Sequence, residues 1–186
     1  MYATATGTDE LITLDETIGA ELCRAPTVAY PDGIAYAATT GQLVGVERDP
    51  AAARPWSTLA PAGSSGRCTG RRGRQRRFRP RRRQGGGGSG AVLVDVQSKD
   101  QLLTIDPASR AVLRRTALPG CHHDQGLVVL PARRLAFVAC DGNAALLVLD
   151  LTDNTVTQHL QVGRDPDVLA VDPDRAVLLV SAESAS

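Results

Sequence analysis

The chain has 186 residues, enough for one domain of ordinary size, and 42% of them are hydrophobic but only 3% aromatic, so any core is built from Val, Leu and Ala. No apolar run is long enough to cross a bilayer, and four Cys without a CxxC pair exclude a zinc-knuckle pattern and a disulfide-framework miniprotein. The net charge of +1 hides an asymmetry: residues 66–90 hold ten Arg and no acid, while the rest sets 11 basic residues against all 20 acidic ones.

Taken in chain order, the N-terminal MYATATGTDELITLDE has neither the basic start nor the apolar stretch of a signal peptide. Alternating apolar residues predict two strands within 1–15 that close at Asp15, then a third strand in ETIGAELCRAP. GIAYAATTGQLVGV at 33–46 predicts two more. From about Pro50 to Gly90 the alternation is lost. It resumes at 91–106 (AVLVDVQSKDQLLTID), followed by a strand in PASRAVLRRTALPG. Four strands are then expected near 126–130, 135–139, 145–149 and 155–161, with a hairpin turn at Asp141-Gly142-Asn143, where Gly and Asn tolerate positive φ. The last pair falls within 168–182.

These segments repeat. LAFVACDGNAALLVLD at 135–150 overlays 91–106 at an offset of 44, with closing Asp150 on Asp106, and 1–15 overlays 136–150 without a gap. GLVVLPARRLAFVAC at 126–140 overlays VLAVDPDRAVLLVSA at 168–182 at an offset of 42, with Pro131 on Pro173 and Arg133 on Arg175. Four short antiparallel strands every forty-odd residues is the period of a propeller blade. The expected fold class is all-β: a β-propeller fragment of about four four-stranded blades, two of them partial. The expected organisation is partial blades over 1–49, a disordered or frame-shifted Arg/Gly-rich segment over 50–90, and blades over 91–186 with the last truncated. End blades of this kind are expected to leave apolar faces exposed.

LAFVACDGNAALLVLD, VLLVSAES, YPDGIAY, VLVDVQSKDQLLTID and LPGCHHDQG together resemble the YVTN-repeat β-propellers of the YncE-like group, over most of 1–46 and 91–186. The resemblance implies a seven-bladed ring in an exported (periplasmic or secreted) protein, often without an assigned activity. Related propellers include quinoprotein and nitrite-reductase domains and some lactonases, a kinship that carries fold further than chemistry.

The Arg-rich stretch 66–90 has two readings. Ten Arg could neutralise nucleic-acid phosphates, making nucleic acid a partner if the segment is genuine. GC-rich DNA read in a shifted frame also gives Arg, Gly, Pro and Ala, and the segment replaces blade strands rather than extending a loop. The second reading is favoured, and Phe78 alone offers little for base stacking.

In propellers the loops entering the innermost strand gather with the turns between the second and third strands on one face, around the channel. Here the entering loops carry Asp32, then His122-His123-Asp124, then Asp165 and Asp167. These six are the candidate ligand-binding residues, and clustered carboxylates favour a cation or cationic partner. The bland alternative is ordinary Asp turn chemistry. His123 with Asp124 is a weak candidate for a metal, since adjacent His side chains on extended backbone diverge. Cys121 and Cys140 bracket one blade. Setting Gly126 opposite Ala139 and Gln125 opposite Cys140 leaves two readings open, a disulfide or two small buried thiols. No GxSxG, HExxH or P-loop is present, no catalytic residue is assigned, and no cofactor is evident. The preferred function is a non-enzymatic scaffold or binding module taking a small ligand or protein at that face. The alternative is a fragment of a propeller enzyme, lactonase-like or dependent on a metal or redox cofactor.

Overall fold

The computed structural model describes residues 2–27, 31–37, 42–47, 56–61, 90–172 and 174–183. The other residues, including nearly all of 66–90 and its Arg cluster, lie outside the described residues. Fifteen strands are described and no α-helix. They fall into two compact units. The first carries the six strands up to Pro61 together with Gly90–Val92 and Asp106–Arg110, and the second carries Leu93–Ile105 and everything from Ala111 onward.

In the first unit, β1 (Tyr2–Ala5), β2 (Glu10–Leu14) and β3 (Glu21–Pro26) form one antiparallel sheet, and β4 (Pro31–Ala37), β5 (Gln42–Glu47) and β6 (Trp56–Pro61) form another. The strand pattern therefore runs past the expected limit at Pro50, because Trp56–Pro61 pairs with β5. On β3, Arg24 donates to Glu21 and to Glu10 of the neighbouring strand.

A third sheet is built from β7 (Val92–Val96), β8 (Gln101–Asp106) and β9 (Ala111–Ala117). The second unit contains the most complete sheet, β10 (Asp124–Leu130), β11 (Leu135–Cys140), β12 (Ala145–Asp150) and β13 (Thr155–Gln161), in sequential antiparallel order. A two-stranded sheet of β14 (Leu169–Asp172) and β15 (Val177–Val180) follows, with β14 beside β10. These are the strands the repeat predicts, within a residue or two at each end.

The repeat also fixes where the backbone turns left-handed. Asp9, Asp100 and Ala144 follow the turns between the second and third strands of three of the repeats, and all have positive φ. Gly19, Arg110 and Asn154 do the same one turn later. The hairpin at Asp141–Asn143 is a 3₁₀ turn, and its positive φ falls on Ala144 (54°), on neither Gly142 nor Asn143. Gly142 is needed for another reason: a Cβ there would come within 3.0 Å of the His122 carbonyl oxygen. The closing aspartates are turn locks. Asp15, Asp106 and Asp150 each accept the main-chain N–H two residues on, at 2.7–2.9 Å.

The core of the second unit gathers Leu102, Leu118, Val138, Cys140, Leu147 and Leu149. Every residue of β12 from Ala145 to Leu149 is buried, as expected of a strand covered on both faces, whereas β13 is exposed along most of its length. Leu147 is fully buried, and Leu147→Ala is expected to destabilise by about 2–5 kcal/mol. Leu113→Ala, at a side chain 60% exposed, is expected to change stability by less than about 0.5 kcal/mol. Chemical denaturation of the two variants checks the contrast. Val168, Val177 and Leu179, around the two-stranded sheet, are exposed.

Candidate functional site

The loop Gly120–Gln125, which leads into β10, is held from several sides. Gly120 has φ +79°, and a Cβ there would strike the His159 imidazole of β13. So His159 packs on this loop. Cys121 is joined to Cys140 at the end of β11 by a disulfide, with Cα atoms 5.4 Å apart. Asn143 clamps the loop through both ends of its amide: Nδ2 donates to the Gly120 carbonyl (2.9 Å) and Oδ1 accepts from the His122 N–H (3.2 Å). The His122 and His123 carbonyls accept from the Gly142 and Asp141 N–H groups, each at 3.0 Å. The His123 N–H donates to Asp100 Oδ1 at 2.7 Å, and Gln97 donates to Gln125 at 2.9 Å. His123 itself sits at φ +56°. A non-glycine residue held there by this many contacts is a preorganised loop of the kind that binding sites use.

Asp124 opens β10 opposite Cys140, and Gln125 is pushed out as a bulge before Gly126 pairs with Ala139. The bulge corrects the expected register by one residue, since Asp124 rather than Gln125 faces Cys140. Asp124 is only 1% exposed, and neither carboxylate oxygen accepts a hydrogen bond. Burial, reinforced by the like charges of Asp95 and Asp100, pushes its pKa up to about 7. The main-chain N–H groups of Asp124 and Val96 lie near enough to temper the shift without cancelling it.

The strand registers show what is unusual here. Gly33 pairs with Val46 as Gly126 pairs with Ala139, and Leu169 pairs with Val180 as Leu127 pairs with Val138. Counting back, Asp32 and Asp167 correspond to Gln125, while Asp124 corresponds to Pro31 and Pro166. Asp165 (φ 47°) corresponds to His123 (φ 56°). The four acids thus fall at three positions: Asp32 and Asp167 share one, Asp165 holds another, and Asp124 replaces a proline that the next repeat buries as Pro166.

Of the candidate residues, His122, His123 and Asp124 share the pinned loop. Asp165 and Asp167 are exposed in the segment leading to β14, whose Asp167 carbonyl reaches Gly126. The backbone of Asp32 lies in β4 and its side chain is outside the described residues. His123 Nδ1 lies 3.9 Å from Asp141 Oδ1. Among the described residues, no three His, Cys, Asp or Glu side chains are arranged to hold a metal ion. Sequence reasoning missed Asp95, Asp100 and the Asn143 clamp. The signal for Asp124 was available in the repeat, as an acid aligned with two prolines.

No protein-family profile matches the chain, and no curated protein matches it. Solved structures do. The chain resembles a functionally unknown protein from Desulfotomaculum acetoxidans (TM-score 0.67, 14% identity, 98% of this chain and 59% of that one). It also resembles the dihydro-heme d1 dehydrogenase NirN (TM-score 0.55, 16% identity, 98% of this chain and 39% of that one). These likenesses are of fold alone, and the fold is propeller-like and all-β. The chain spans 59% of the first of these structures and less of the second.

Proposed function

We propose that this chain is part of a non-enzymatic β-propeller binding module of the YncE-like, YVTN-repeat kind, and that it takes a cationic ligand at the loop Gly120–Gln125 and the adjacent Asp165–Asp167 segment. The observation that carries the reading is Asp124, a buried carboxylate with no hydrogen-bond partner, set beside Asp95 and Asp100 in a loop fixed by a disulfide and an asparagine clamp. Acids held together at a rigid loop favour a positive charge between or above them. The disulfide supports an exported setting, where such bonds persist.

The test is titration of the full chain with an oligolysine peptide at low ionic strength. Replacing Asp124, Asp165 and Asp167 together with Asn is expected to weaken binding about tenfold, while Gln158→Ala on β13 leaves it unchanged. Equal binding by the triple variant and the parent chain would overturn the proposed site.

A further inference from the structure

We propose that the loop Gly120–Gln125 is a proton-controlled latch: it lies closed on the end of β11 while the Asp124 carboxyl is neutral, and ionisation of that carboxyl opens the head of β10. The proposal rests on the preceding reading only for its consequence, that opening brings Asp124 out beside Asp95 and Asp100 as a stronger cation site.

The geometry supplies the driving force. Both Asp124 oxygens are shielded from solvent and neither accepts a hydrogen bond, so a charge placed there is neither hydrated nor paired. The groups facing it do not relieve that charge. From β7 and the turn after it come Asp95 and Asp100, of the same sign, with the N–H groups of Asp124 itself and of Val96 as counter-dipoles that do not cancel them. Asp100 is already committed to the His123 N–H. From β11 comes Cys140, held in the disulfide. From the turn after β11 comes Asp141, whose Oδ1 lies 3.9 Å from His123 Nδ1. The segment before β14 brings the main-chain carbonyl of Asp167 to Gly126. On its own loop the imidazoles of His122 and His123 are exposed. Where the next repeat fills this position with proline, no charge can develop. Here one can.

The geometry also limits the motion. The disulfide ties Cys121 to Cys140, so opening is confined to His122–Gly126. The hydrogen bonds that must break run from the His122 N–H to Asn143, from the His123 N–H to Asp100, from the Asp141 N–H to His123 and from the Gly142 N–H to His122.

The sign follows from linkage. The closed carboxyl titrates at about 7, above the ordinary value of about 4 that an opened, hydrated Asp would have. The closed form therefore holds its proton more tightly. It is fully favoured below about pH 4, and the advantage is lost as pH rises through about 7. Across that window a single linked proton makes the opening constant climb roughly tenfold per pH unit.

Hydrogen exchange on the full chain without ligand tests this directly. After correction for intrinsic rates, protection of the His123, Asp141 and Gly142 amides is expected to fall by roughly tenfold per unit between about pH 5 and 7, while the Leu147 amide of β12 stays constant. In Asp124→Asn the three loop amides are expected to lose this pH dependence. A parallel pH dependence in both proteins would overturn the latch, and so would flat protection in the parent chain. Should Asp124→Asn fold poorly, the carboxyl-carbon titration of Asp124 in the parent chain decides: a midpoint near 4 overturns the proposal, and a midpoint well above that of Asp106 supports it. Asp95→Asn is expected to lower that midpoint by removing a like charge. None of these readouts uses the oligolysine peptide, so the latch and the binding site fail separately.

Discussion

Removing the Cys121–Cys140 bridge is expected to lower the stability of the second unit by about 3 kcal/mol. The bond spans 19 residues, and closing a loop of that length in the unfolded chain removes entropy worth roughly this much. The loss should be larger than for an exposed bridge, since Cys140 is fully buried and Cys121 nearly so, and Ala at both positions leaves a small void in the cluster with Val138 and Leu147. Thermal denaturation of the double Cys→Ala variant is expected to show a midpoint lower by roughly 10 °C, from about 2–4 °C per kcal/mol for a chain of this size. A change of under about 2 °C on the same scale would mean that the hydrogen bonds of Asn143 and Asp100 hold the loop without the bridge.

Gly126→Ala is expected to destabilise by about 2–3 kcal/mol. The residue follows the bulge at the head of β10, and a Cβ on it would run into the Asp167 carbonyl and come within 3.1 Å of the Ala139 side chain. Its φ is not positive, so the demand for glycine comes from the close approach of the segment leading to β14. Nothing at the end of a flexible side chain can move aside, because the obstacle is backbone. The loop before β14 has to be displaced, carrying Asp165 and Asp167 with it, so oligolysine affinity is expected to fall together with stability. Val168 occupies the corresponding place in the next repeat and is 60% exposed. Val168→Ala is the control, expected to be within about 0.5 kcal/mol of the parent. If Gly126→Ala melts as the parent chain does, β14 does not press on β10 in solution.

Much of the fold was legible in the sequence because a strand's period of two is local. LAFVAC and ALLVLD show their alternation and their closing Asp without reference to anything distant, and the 44- and 42-residue offsets put each copy in register with the next. The left-handed residue after Asp141-Gly142-Asn143 was misplaced, since a 3₁₀ turn shifts the positive φ to Ala144. The segment Trp56–Pro61 was also passed over, because WSTLAP alternates too weakly to mark a strand until β5 is beside it.

The site divides along the same line. The sequence by itself determined the repeat, the all-β class, the entering loops, and the fact that His122, His123, Asp124, Asp165 and Asp167 sit in them. It left Cys121 and Cys140 open between a bond and two thiols. Only the tertiary structure decided that the two sulfurs meet, that a bulge moves Asp124 rather than Gln125 opposite Cys140, and that Asp95 and Asp100 approach the same carboxyl from another sheet. The physical reason is that burial and electrostatic neighbourhood depend on which backbones come close across long stretches of chain. The residue type at 124 is written in the sequence, but whether its charge meets water or the carboxylates of a neighbouring sheet is fixed by packing.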